Sequence, residues 1–138
     1  MINSKKIILG TITLAVAVSI FLGVRYFIKL ENYKKIISGI IIKQVDLSKV
    51  ADGTYEGSFD AIMIEAKTRV TVKNHKITNI TLLEHKNERG QAASVIPSKV
   101  VSAQSLKVDT VSGATNSSKV ILMSIENALK KGEKNIEG

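Results

Sequence analysis

From Ile7 to Val24 the chain reads IILGTITLAVAVSIFLGV, eighteen residues without a charge. A helix needs about 20 apolar residues to cross the hydrocarbon of a bilayer, and in lipid only a helix or a closed barrel satisfies its own backbone. Arg25, Tyr26 and Lys29 follow directly. Long basic side chains and tyrosine suit the headgroup zone, so the run predicts one membrane-spanning helix. A cleaved signal peptide shares the basic start and apolar run, but it needs small residues at the cleavage point. Phe21, Leu22, Val24, Tyr26 and Phe27 stand there instead, which favours an uncleaved anchor. The charge rule selects no side of the membrane, because Lys5, Lys6 and the terminal amine face Arg25, Lys29, Lys34 and Lys35 offset by Glu31.

What remains of the 138 residues has room for a single domain with a modest core. The chain has no cysteine, which excludes disulfides, thiolate metal sites, thioether-linked haem, cysteine nucleophiles and a lipidated N-terminal cysteine. Of the net charge of +8, Lys5, Lys6, Arg25 and Lys29 flank the apolar run, leaving 16 basic and 12 acidic residues from Glu31 onward. Lysine and glutamate are interspersed there and tryptophan is absent. That lacks the basic stripe and aromatic platforms of a nucleic-acid binder, so nucleic acid is not expected as a partner.

The expected organisation is an anchor over 1–30, a juxtamembrane linker over 31–48 and a domain over 49–138. The linker ENYKKIISGIIIKQVDLSK mixes lysines with isoleucines, as a short amphipathic helix or strand would. DGTYEGSF at Asp52–Phe59 reads as a turn and a short strand. Ala61–Lys73 and Lys76–Glu84 are rich in β-branched residues and are separated by Asn74 and His75. Asparagine tolerates the left-handed turn of a tight hairpin, so these runs predict an antiparallel pair. Pro97 suits the first turn of a helix that carries Val100, Val101 and Leu106. A final helix from about Asn116 to Lys131 has Val120, Ile121, Ser124, Ile125, Ala128 and Leu129 on one stripe, with Gly132 as its terminator. The fold class is α+β: an antiparallel sheet with packed helices, preceded by one N-terminal transmembrane helix.

The loop before the final helix is rich in hydroxyls: Asp109, Thr110, Val111, Ser112, Gly113, Ala114, Thr115, Asn116, Ser117, Ser118. The first amides of a helix lack internal acceptors and lie at the positive end of its dipole, so an anion collects several donors there. Gly113 would let the backbone come close. Serine and asparagine caps of an ordinary helix explain the same string.

The string DTVSGAT, however, resembles the D-x-x-S/T-G-A-T signature of the FMN-binding domain family, found in flavin subunits of sodium-pumping quinone reductases and Rnf electron-transport complexes. DGTYEGS resembles that family's opening strand, RVTVKNHKITNITLLEH its hairpin, and SGATNSSKVILMSIENALKKG its flavin loop and closing helix, so the likeness runs from about Asp52 to Lys131. Asn74-His75 departs from the Asp-Gly common at the family's hairpin turn. The resemblance implies FMN joined through a phosphoester to Thr115. It also implies that Asp109 and Gly113 are read by a flavin transferase using FAD, and that Ser112 and Ala114 line the attachment loop. Asn116 and Ser117 complete the cofactor-binding set. His85, Arg89 and Gly90, in EHKNERG, are further candidates to approach the ring or its phosphate, against an ordinary polar loop.

A metal at His85 with Glu84 and Glu88 lacks supporting partners. Ser112 or Thr115 as a nucleophile lacks an oriented base. The implied task is therefore electron transfer by a membrane-bound carrier rather than a stand-alone enzyme. Its domain would be extracytoplasmic, its partners a flavin transferase for maturation and redox proteins or a quinone-linked donor. The alternatives are a module that binds FMN or another phosphate ligand reversibly, and a tethered interaction domain in which DTVSGAT is only a cap and turn.

Overall fold

The computed structural model describes residues 3–87 and 90–136. Asn3 caps the first helix by accepting from the Lys5 amide, and α1 then runs unbroken from Ser4 to Ser38. At 1.5 Å per residue it is about 50 Å long, longer than the apolar run requires. Its most apolar stretch has a mean hydropathy of 2.5 and no buried residue, so α1 is long and apolar enough to cross a membrane. Residues 31–38 of the expected linker are helical and continuous with the apolar run, and Gly39 ends the helix by donating back to its last turn. Past Arg25, the residues Tyr26, Leu30, Tyr33 and Ile37 fall on one face, spaced as i, i+4, i+7 and i+11. The last of them is 7% exposed.

Three antiparallel strands follow in the order β1 (Gly53–Asp60), β2 (Glu65–Lys73) and β3 (Lys76–Lys86). Asn74 and His75 connect the last two with φ of 52° and 60°, the two left-handed residues of a type I′ turn. The turn is held from outside, since the Asn74 amide donates to Asp52 and the His75 ring bonds the Leu47 carbonyl. The β1–β2 connection is different from the strand expected over 61–64. Ala61 to Ile64 make a tight reversal in which the Met63 amide donates to the Ala61 carbonyl around Ile62 at φ 74°. This positive-φ γ-turn is strained for a β-branched residue, and Asp60 steadies it by accepting from the Ile62 amide.

β3 departs from simple alternation twice. The register passes from Val72↔Ile77 to Thr71↔Asn79 and from Thr68↔Leu82 to Lys67↔Glu84, leaving Thr78 and Leu83 as bulged residues. Each bulge shifts the following side chains to the other face. Ile77, Ile80 and Leu82 therefore all face inward with Val72, Val70 and Thr68, and beyond Leu83 the inward position falls to His85, opposite buried Ala66.

The helices cover that inward face: α3 (Thr115–Ile136) lies across β1 and β2, and α2 (Ile96–Ala103) lies against β3. Pro97 stands in the first turn of α2. Leu106 lies beyond this helix, which ends at left-handed Gln104, yet its side chain is buried. Gln104 turns its amide onto the outer edge of β3, accepting from the Ile77 amide and donating to the Ile77 carbonyl, both at 2.7 Å. Helix α3 buries Val120, Ile121, Ile125, Ala128 and Leu129 as its stripe predicts. It does not stop at Gly132, which is an internal helical residue: a Cβ there would come within 2.6 Å of Val50 and 2.9 Å of Tyr55. Gly132 serves close packing rather than termination.

The same helix sits almost on the backbone of β1. A Cβ on Gly57 would lie 2.1 Å from the Ser124 carbonyl oxygen and 2.4 Å from the Ala128 nitrogen. Thr68 donates to Ser124 across the interface at 3.1 Å, and Ser124 donates onward to the Ile121 carbonyl. Because backbone atoms cannot swing aside, Gly57→Ala is expected to cost about 3 kcal/mol or more, read as a lowered urea midpoint of the full chain in detergent.

Candidate functional site

The N-terminus of α3 is built by Ser118. Its buried hydroxyl accepts from the Val111 amide at 3.0 Å and donates to the Ala114 carbonyl at 2.8 Å, while its own amide makes the first helical bond to Ala114. This folds Val111–Ala114 into a turn against the helix, with Gly113 at φ 80°. Nothing lies within 4 Å of where a Gly113 Cβ would stand, so its need is conformational. The amides of Thr115, Asn116 and Ser117 precede the first helical bond and project from the positive end of the dipole.

These residues form one wall of a cavity of about 480 Å³, within the range of small-molecule and cofactor sites. Gly90, Gly113, Ala114, Thr115, Asn116 and Ser117 supply its polar end. Met63 and Ile64 from the β1–β2 turn, with Tyr26, Leu30 and Tyr33 from α1, supply an apolar and aromatic side. Thr115 is exposed at the mouth. Ser117 is 2% exposed and its Oγ has no hydrogen-bond partner among the described residues, although buried hydroxyls are nearly always bonded. Gly90 is packed so tightly on it that a Cβ would lie 1.8 Å from that oxygen.

The donor set suits a phosphate: three amides ahead of the first helical bond, a threonine hydroxyl and a serine hydroxyl unpartnered among the described residues, all at one end. The apolar side suits a flat ring system. On those observations the residues fit FMN.

The sequence candidates do not all converge on the cavity. Asp109 is exposed beyond it, its carbonyl receiving Lys99 Nζ at 3.5 Å, and Ser112 points to solvent. Arg89 lies outside the described residues. His85, expected in a loop after the second strand, belongs to β3 and is turned to the core face by the Leu83 bulge. Its Nδ1 lies 3.3 Å from the Asn87 amide, whose oxygen accepts from the Gly90 amide at 2.9 Å. With Nδ1 accepting, the ring proton is on Nε2, which is buried without a partner among the described residues. His85 thus connects to Gly90 through Asn87 and is not among the residues lining the cavity. The sequence reading missed Tyr26, Leu30, Tyr33, Met63 and Ile64; the i, i+4, i+7 spacing of the first three was the available signal.

Fold and site together define a small α+β module with a phosphate-accepting helix terminus and an apolar ring pocket. Residues 64–130 match the family model described as the FMN-binding domain, which is the family that DTVSGAT and its flanking strands resemble; the module is a flavin-binding one. An uncharacterized protein of Treponema pallidum (strain Nichols) is 30% identical over 87 residues, covering 61% of this chain and 24% of that protein. The chain therefore spans only about a quarter of that relative's length.

Desolvation holds the His85 imidazole below its ordinary pKa of 6.5. The folded state thus binds its proton less readily than the unfolded chain, so stability from this group is complete above pH 6.5 and falls as the pH drops below it. His85→Gln is expected to flatten that acid-side decline, measured as urea midpoints across a pH series.

Proposed function

We propose that this protein is a membrane-anchored electron carrier that holds FMN covalently on Thr115. The observation that carries the reading is the position of Thr115: the last threonine of DTVSGAT, with its side chain exposed at the N-terminus of α3 and at the mouth of a cavity whose buried Ser117 hydroxyl has no partner among the described residues. Attachment transfers the FMN phosphate of FAD to Thr115 Oγ1. The pyrophosphate bond breaks, AMP leaves, and the hydroxyl proton is released. The amides of Thr115–Ser117 and the helix dipole hold the phosphate charge, and Ser117 Oγ supplies one further hydrogen bond. Met63 and Ile64 keep water from the ring side. When bound, FMN supplies the ability to accept and release electrons, with its potential tuned by the surrounding protein.

The exposure of Asp109 and Ser112 on this loop supports a role for them in recognition by a flavin transferase. Helix α1 anchors the domain, since an apolar helix exposed all round is stable only in lipid. The domain faces the extracytoplasmic side, where a covalent bond keeps the cofactor from diffusing away. Its electrons come from a redox protein or a quinone-linked donor in the membrane.

The test is in-gel flavin fluorescence after denaturing electrophoresis, with wild type and Thr115→Ala each co-expressed with a flavin transferase. A fluorescent wild-type band that disappears in the variant is expected. A colourless wild-type band beside a labelled control protein overturns covalent attachment, and yellow colour that dialysis removes then identifies a reversible FMN-binding module.

A further inference from the structure

The cavity is not made by the flavin-binding module alone. Tyr26, Leu30 and Tyr33 belong to α1, and Tyr33 is tied to the attachment loop, its hydroxyl accepting from the Asn116 side-chain amide at 3.0 Å. We propose that the last turns of the anchor helix are a wall of the flavin site and hold the bound ring at the depth of the lipid headgroups. This rests on the flavin reading above.

Two independent features carry the depth. Along α1, Tyr26 lies about 3 Å beyond Val24, the end of the uncharged run, and Leu30 about 9 Å, within and just past a headgroup layer about 5–8 Å thick on each side, whereas Tyr33 at about 14 Å stands above it. Exposure falls along the same stripe, from 57% at Tyr26 through half-buried Leu30 and Tyr33 to 7% at Ile37. Helix and domain therefore meet at Ile37 and part toward Tyr26, and the cavity occupies that wedge. The second feature is the strained turn at Ile62, which shares a cleft with Arg25, Ile28 and Lys29. The β1–β2 tip thus reaches the level of the residues that end the membrane span, and its Met63 and Ile64 line the cavity.

The wedge is held by fixed contacts. Glu126, 1% exposed, accepts from the Lys43 amide and pairs with Lys130 at 3.2 Å. Gln44 donates to Ser105 at 2.9 Å and accepts from the Leu106 amide at 3.1 Å. The segment after α1 is thereby bound to α3 and to the chain beyond α2, and α1 itself meets the domain through buried Ile37 and the Tyr33–Asn116 hydrogen bond. With the phosphate at Thr115, beside Tyr33, the apolar ring extends toward Leu30 and Tyr26, the membrane end of the wedge.

The experiment uses the full chain, loaded by a co-expressed flavin transferase and placed in nanodiscs with or without lipids bearing a nitroxide on the headgroup. Flavin content is read by absorbance and flavin emission separately. Tyrosine beside a flavin ring quenches its emission by electron transfer and phenylalanine does not. At equal flavin content, Tyr26→Phe/Tyr33→Phe is expected to brighten the emission, and headgroup nitroxide is expected to quench the wild-type flavin. Full loading with unchanged emission in the variant and no nitroxide quenching overturns the inference while leaving the flavin reading standing. Absence of flavin from the wild type, with a control protein labelled, overturns both.

Discussion

The contact between α3 and the backbone of β1 at Gly57 sets where everything else in the domain can be. With the Ser124 carbonyl and the Ala128 nitrogen both inside the space a Cβ would fill, the helix has one height and one rotation above the sheet. Sliding by a residue would drive side chains into the strand. The Thr68–Ser124 hydroxyl pair marks the same register with a buried polar contact across the interface. Fixing α3 at its middle fixes its two ends. Gly132 rests against Val50 and Tyr55, and at the other end Ser117 meets Gly90. The position of Thr115 is thus a consequence of packing about three turns away.

Much of this was legible in the residues. The Asn74-His75 turn, the strand following Asp52, the apolar stripe of α3 and the anion-accepting loop are all local patterns, and local patterns survive folding when tertiary packing agrees with them. What escaped the reading were places where packing overrode a pattern. Ala61–Ile64 is composed like a strand, yet the chain must reverse there, and Ile62 accepts a left-handed conformation to do so. His85 reads as part of a loop after the second strand, yet β3 runs on through Lys86 and the bulge at Leu83 turns it to the inward face. Gly132 sits where helices commonly end, but a close approach to Tyr55 uses its missing side chain instead. No propensity encodes such choices, because each depends on atoms distant in the chain.

The site was half legible for a related reason. DTVSGAT places the phosphate end, since a helix start and its cap are written consecutively. The ring end is assembled from α1 and from the β1–β2 turn, segments roughly 80 and 50 residues away from the motif, and their composition reads as membrane anchor and strand. Tyr33 meets Asn116 only because the chain after α1 folds back along α3.

The absence of a break in α1 between Ser4 and Ser38 has a consequence for traffic. A domain on a loose tether searches a hemisphere of aqueous space and can carry charge outward from the membrane to a distant acceptor. A domain fixed to a continuous rod searches only the plane of the bilayer. For the proposed carrier, encounters would be two-dimensional, governed by lateral diffusion and surface density rather than by bulk concentration. A redox partner of the proposed carrier would have to present its own redox centre at the same height above the lipid.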